Sequence, residues 1–265
     1  LLKEILSTSA TRAFLSIVMG FLVGAIFMMI SGEEVGEALE SGGLGEAFGA
    51  ALMTVSDGYS ALFRGSIFNT RADDLVTALR PLTETLRLGA PLIAAGLGIS
   101  LGFRVGLFDI GGNGQMVFGI LWATWISTRM ELPIVLHMLA ALIVAILGAA
   151  LWGALVGFLK AKTGAHEVIL TIMLNYVAIY LFTWFIRSPD LLQQVEAGGT
   201  PKSDAPALTA QLPQLVPGVY SLHLGFVLAI LAALVSWWLM ERSAIGYRFR
   251  MVGHNPRAAR TAGIA

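Results

Sequence analysis

The sequence predicts an all-α, polytopic membrane helix bundle, and three observations carry that prediction. Charged residues make up 13% of the 265-residue chain, about half the ~25% of an ordinary soluble domain. Six stretches, each of 16 or more residues, contain no Asp, Glu, Lys or Arg. Glycines recur at small-xxx-small spacing, in the pairs Gly20/Gly24, Gly98/Gly102 and Gly153/Gly157, which lets helix backbones approach closely where no water drives association. The mean hydropathy of +0.77 agrees.

A bilayer core about 30 Å thick is crossed by roughly 20 apolar residues rising about 1.5 Å each. The charge-free runs therefore predict spans at 13–32, 86–103, 110–128, 132–159, 168–186 and 221–240, within a single transmembrane domain over 1–265. The second run is charge-free only from Leu88 and reaches Leu86 if Arg87 snorkels. The first is too long for a cleavable signal, and no small-residue cleavage site precedes Glu33.

Two connections are long. The segment 33–85 opens with Glu33, Glu34, Glu37, Glu40 and Glu46, then places Phe48, Leu52, Val55, Tyr59 and Leu62 at helical spacing. Only ten uncharged residues separate Glu46 from Asp57, too few to cross, so an interfacial or bundle-packed helix is expected. The segment 187–220 holds Pro189, Pro201, Pro206, Pro213 and Pro217 with Gly198-Gly199. Prolines at that spacing defeat a continuous helix and predict an irregular loop.

The chain balances 17 Lys and Arg against 17 Asp and Glu. With the N-terminus in the cytoplasm, the inner segments hold ten of the cations and four of the acids, and the outer segments hold seven and thirteen. The cation bias favours that orientation. A net charge of zero removes the simplest nucleic-acid reading, which needs a basic excess. The absence of Cys excludes disulfides, thiolate chemistry and Cys-ligated metals. No G-x-x-x-x-G-K-[ST], H-E-x-x-H or G-x-S-x-G string occurs, so the chain has no P-loop for ATP and no familiar hydrolytic motif. His137, His166, His223 and His254 lie on separate segments and read as structural.

Three local features stand out. In Phe103–Gln115, four glycines accompany Asp109, Asn113 and Gln115 beside long apolar runs. Irregular backbone at membrane depth is tolerated only inside protein or along a wet cavity, so the segment marks a binding or gating site. The alternative is a short cytoplasmic turn over 104–109, with Asp109 capping the next helix. The second feature is Thr171 and Asn175, four apart and hence on one helical face. Asn175 lies near mid-span, where an amide facing lipid is costly, so it faces protein; whether it touches cargo or bonds a neighbouring helix stays open. The third is the tail after the last span. Asn255 suits an N-cap and Pro256 the first helical position, while Gly263 can close the far end in the left-handed conformation. That predicts a short, basic, well-defined helix able to rest on anionic lipid or to meet a partner.

On these three segments the chain resembles the permease subunits of bacterial ABC importers for nucleosides, within the wider group of ribose and branched-chain amino-acid permeases. The matching strings are Gly106–Gln115, Glu167–Tyr176 with its T-I-M-L-N-Y, and Gly246–Ile264 with its x-N-P-x-A-A-R-x-A-G-I pattern. The resemblance implies a pore-forming subunit of the bacterial plasma membrane that is not itself an enzyme. It binds no cofactor, because ATP is bound by a separate cytoplasmic ATPase subunit. It pairs with a second, related permease, and an extracytoplasmic substrate-binding lipoprotein delivers a small polar solute for inward alternating access.

It further implies that Gly246, Arg250, Gly253, Asn255, Pro256, Arg257, Ala259, Arg260 and Gly263 belong to the segment that meets the ATPase. Asp109, Asn113, Gln115, Thr171 and Asn175 are the candidates for the solute pathway. Where the family reads N-I-G-x-E-G-Q and N-E-V-I-S-T, this chain has Asp109-Ile110-Gly111-Gly112-Asn113-Gly114-Gln115 and His166-Glu167-Val168-Ile169-Leu170-Thr171. Asp109, Asn113, His166 and Leu170 therefore inherit no role by identity. Family members continue past the A-G-I string with further spans, so a chain stopping at Ala265 is expected to be truncated. A secondary transporter or channel is the alternative, weakened because the long runs, which include His137, hold no interior Asp or Glu. A membrane enzyme is weaker still, for want of any clustered nucleophile, base or metal set.

Overall fold

The structure is a computed structural model that describes residues 9–194 and 200–264. Lys3 and Glu4 of the charge count, Gly198-Gly199 and Ala265 lie outside the described residues. The fold is all-α and polytopic, as predicted. Its helices are α1 (Ser9–Ser31), α2 (Glu33–Ser66), α3 (Leu75–Arg104), α4 (Gly112–Arg129), α5 (Ile134–Thr163), α6 (Glu167–Arg187), α7 (Gly225–Arg242), α8 (Ala244–His254) and α9 (Pro256–Thr261). A 3-10 turn spans Leu208–Ala210.

Five of these helices, α1, α3, α5, α6 and α7, are long and apolar enough to cross a membrane. The expected count of six is corrected at α4. That helix forms where a span is predicted and matches α7 in length, but its first turn is Gly112-Asn113-Gly114-Gln115. Polar residues at the start shorten its apolar length below the about 30 Å of a bilayer core.

The chain divides into two compact units, 1–85 and 86–265. In the first, α1 and α2 pack through Tyr59: its hydroxyl donates to the Phe21 carbonyl, and its ring meets Phe21 edge-on at 5.1 Å. Gly24 makes room, since a Cβ there would lie 2.9 Å from the Tyr59 hydroxyl. The helix expected within 33–85 is therefore present, packed rather than free. It breaks at Gly43, whose φ of 77° and ψ of −169° lie outside the helical region, a conformation glycine adopts without steric cost. Helix α3 begins at Leu75, upstream of the expected Leu86. Leu75, Leu79, Leu82 and Leu86 continue its helical spacing through Arg80 and Glu84, which a charge-free criterion cannot see. Asp74 caps this start, accepting from the Thr77 amide at 2.9 Å. That backbone bond, with a second from the Thr77 hydroxyl, holds the Asp74 carboxyl below the ordinary carboxylate range.

In the second unit, α4 packs on both α5 and α6. Small residues set the approach: a Cβ on Gly119 would lie 3.1 Å from the Ala145 carbonyl oxygen, and one on Gly148 would overlap the Trp122 ring. Leu121, Trp152, Val156 and Ala178 form the core of this contact. His137 is fully buried, with Nδ1 2.8 Å from the Thr209 hydroxyl and Nε2 3.1 Å from the Ile126 carbonyl. It ties the loop over 187–220 to α4 and α5, which is a structural role. The described part of that loop is irregular apart from two isolated bridges, Gln193 with Ser203 and Gln214 with His223. Arg129 pins it further by donating from Nε to the Leu191 carbonyl at 3.0 Å.

Candidate solute site and docking segment

The first candidate site grows out of the end of α3. There the chain turns through Gly106, at φ +82°, with Leu107 N–H bonded to the Gly102 carbonyl and Gly106 N–H to the Phe103 carbonyl. This pair of bonds closes the helix in the left-handed manner that favours glycine at the turn. Phe103 and Phe108 stack across it at 5.1 Å. The chain then runs extended to Gly111, where α4 begins.

Asp109 organises that entry without being its cap. Its Oδ1 accepts from the Gly111 amide at 2.6 Å, and its Oδ2 accepts from Gln115 Nε2 at 2.7 Å. The N-cap residue of α4 is Gly111, with no side-chain cap of its own. The capping bond comes instead from α6: Asn175 Oδ1 accepts from the Gly114 amide at 2.8 Å, while Asn175 Nδ2 donates to the Ile110 carbonyl at 3.0 Å. The expectation that Asp109 caps α4 is corrected accordingly. A helix start needs acceptors for its first amides, and Asn175 supplies one from a different helix.

Thr171 lies one turn before Asn175, fully buried, with Oγ1 donating to the Val168 carbonyl at 3.1 Å. A Cβ on Gly111 would stand 3.3 Å from Thr171, and a Cβ on Gly114 would stand 2.9 Å from both Asn175 Oδ1 and Trp152 Nε1. The glycines of this segment are therefore places where α6 and α5 press on its backbone. Trp152, stacked on Phe118 at 4.4 Å, has a buried indole N–H with no hydrogen-bond partner among the described residues.

A cavity of about 530 Å³ opens beside this node, between α3, α4 and α5, within the usual size of small-molecule sites. Ala94, Gly98, Ile99, Met116 and Ala149 make its walls largely apolar, and Asp109 and Gln115 supply polar groups. Of the five pathway candidates, Asp109 and Gln115 line the cavity. Thr171 and Asn175 sit behind the segment that carries them, and Asn113 is exposed outside the lining.

The second candidate site is the docking segment. Helix α7 turns into α8 through Ser243, whose hydroxyl accepts from the Gly246 amide at 2.9 Å. Gly246 sits so close that a Cβ would overlap the Leu239 carbonyl. Asn255 Oδ1 then accepts from the Arg257 and Ala258 amides at 3.0 and 3.2 Å, with Pro256 opening α9. At the far end Gly263, φ +76°, bonds its amide to the Arg260 carbonyl, and the Ile264 amide reaches the Ala259 carbonyl at 3.0 Å. Both ends of α9 are thus closed by the residues nominated from the sequence. Ala259 is buried, whereas Arg257 and Arg260 are exposed.

Sequence reasoning missed what this segment rests on. Arg104 Nη1 pairs with Glu241 Oε1 at 2.6 Å, and Arg250 Nη1 lies 3.5 Å from Glu241 Oε2. Gly253 lies against the end of α3, where a Cβ would overlap the Arg104 carbonyl. Glu167 pairs with Lys160 at 2.9 Å. Nothing local in the sequence announces these long-range pairs.

Comparison with known proteins agrees with this reading. Residues 82–265 match the family described as the branched-chain amino acid transport system / permease component. The guanosine ABC transporter permease protein NupP of Bacillus subtilis is 33% identical over 95% of this chain and 63% of its own length. The glucose ABC transporter permease protein TsgB13 of Haloferax volcanii is 33% identical over 72% of this chain and 52% of its own. The nucleoside ABC transporter permease protein NupB of Lactococcus lactis is 29% identical over 95% of this chain and 62% of its own. The chain therefore spans between half and two thirds of the length of these curated relatives. No solved structure matches. With the match over 82–265, the apolar helices and the recurring likeness to ABC transporter permeases, this multi-pass membrane protein belongs to the permease-component family.

Proposed function

We propose that the chain is the transmembrane permease subunit of an ABC importer of the bacterial plasma membrane, moving a nucleoside inward by alternating access. ATP is bound and hydrolysed by a separate cytoplasmic ATPase subunit, so the chain is not an enzyme and holds no cofactor of its own. A second, related permease completes the pore, and an extracytoplasmic substrate-binding lipoprotein delivers the cargo. Residues 1–265 act as one transmembrane permease domain with the N-terminus in the cytoplasm, the orientation that puts ten of its 17 Lys and Arg inside.

The observation that carries this reading is α9. It is capped at both ends and follows the last apolar helix through α8, with Arg257 and Arg260 exposed. A rigid basic knob on a chain without a P-loop suits docking onto another subunit. Gly246, Arg250 and Gly253 seat the knob; Asn255, Pro256, Ala259 and Gly263 shape it; Arg257 and Arg260 face the ATPase.

Cargo is read from the cavity and from relatives. Asp109 offers carboxylate acceptors beside Gln115 on a largely apolar wall, an arrangement that suits a flat base against the wall and sugar hydroxyls at the acid. Relatives named for guanosine and for nucleosides support that choice, and the relative named for glucose favours a sugar as the second reading. Gln115 lines the same wall, Thr171 and Asn175 hold the segment behind it, and Asn113 is kept as a pathway residue of the open conformation. The test is uptake into proteoliposomes holding the full-length protein with its ATPase, second permease and lipoprotein. ATP-dependent accumulation of labelled guanosine is expected. Uptake driven by an ion gradient without ATP would refute the assignment, and ATP-dependent uptake of glucose alone would move the cargo to sugars.

A further inference from the structure

We propose that residues 104–111 are the mechanical link between the docking segment and the solute cavity, with Gly253 as its positioning residue. The inference rests on the importer reading and adds a component to it. Two separate sets of contacts hold this connection. At its start, the Gly253 backbone lies on the Arg104 carbonyl with no room for a side chain, and a Cβ on Gly106 would stand only 3.3 Å from Gly253 Cα. Glu241 reinforces the seat by reaching Arg104 and Arg250 together. At its end, Asp109 holds Gln115 and Gly111, and Asn175 holds Ile110 and Gly114.

The segment is short, and its starting turn is closed by hydrogen bonds at Gly106 and Leu107, so it has little slack. Backbone packed against backbone cannot yield as a flexible side chain can, and packed contacts transmit displacement because interiors are dense. A push on α8 and α9 therefore reaches Arg104 through Gly253, and Asp109 moves with it. Asp109 and Gln115 line the cavity, so the position of the docking segment sets the position of the cavity's polar groups.

The experiment uses Met116→Cys as the single cysteine of a full complex whose other cysteines are replaced; residues 1–265 contribute none. Met116 lines the cavity and is exposed, so the rate of labelling by an impermeant maleimide reports on the site. In this parent, trapping the ATPase with ATP and vanadate is expected to change the rate at least about fivefold, the lower end of ordinary coupling between sites. Adding Gly253→Ala should abolish that change in a complex that still assembles with its ATPase by size exclusion, which separates lost coupling from misfolding. Glu241→Gln, which adds no bulk, should reduce it. Gly157→Ala, where a Cβ meets open space, should keep it. A full nucleotide-dependent change in Gly253→Ala would overturn the link while leaving the importer reading intact. A parent without any change would overturn both.

Discussion

The Asn175 node and the α9 docking helix both solve the same problem, a helix start with unsatisfied amides, and they solve it in opposite ways. Helix α9 is closed by its own neighbours in sequence, Asn255 at one end and Gly263 at the other. Helix α4 is closed from 61 residues away, by an amide on α6 whose other arm holds the incoming chain at Ile110. A self-contained cap gives a helix that keeps its shape wherever it is carried, as a docking element needs. A borrowed cap makes the start of α4 conditional on where α6 sits, as the proposed alternating access requires.

That contrast breaks most visibly at Gly114. Gly114→Val must displace both Asn175 and Trp152, and overpacking of this kind costs about 3 kcal/mol. The full-length protein in detergent should melt well below the parent, followed by fluorescence-detected size exclusion after heating. Asn175→Leu comes next: it strands the Gly114 amide and the Ile110 carbonyl, at about 2 kcal/mol for poorly solvated groups. A lower melting temperature with faster hydrogen exchange across 110–115 is expected, together with altered uptake kinetics; an unaltered exchange pattern would show that Asn175 does not hold the segment. The smallest effect belongs to Asn255→Ala, about 1 kcal/mol for a lost N-cap. Because the cap is local, exchange should quicken at the Arg257 and Ala258 amides and stay unchanged at α4.

The same division decides what the sequence could reveal. Asn255, Pro256 and Gly263 are legible because cap, first turn and closing glycine lie within nine residues, and their physics needs no tertiary partner. The apolar helices are legible for a similar reason, since spanning length is a property of a contiguous run. The early start of α3 was hidden because Arg80, Glu84 and Arg87 interrupt the charge-free run without interrupting the helix. The shortfall of α4 was hidden because absence of charge was counted while the amides of its first turn were not. At the solute site, the periodicity put Thr171 and Asn175 on one face and the polar density marked 106–115. What they touch was out of reach: Asn175 could be assigned to protein, but not to Ile110 and Gly114. Arg104 and Glu241 lie 137 residues apart, and Gly253 reads only as a member of the docking segment until the Arg104 carbonyl is seen beneath it.

The central claim, that a locally specified basic knob couples this permease to an ATPase, is tested most directly by charge reversal at its exposed face. Arg257→Glu with Arg260→Glu alters neither the Asn255 cap nor the Gly263 closure, so α9 should still form. In the reconstituted complex of the full-length protein, the account predicts that guanosine no longer stimulates ATP hydrolysis and that uptake falls to background. Stimulated hydrolysis equal to that of the parent would contradict it.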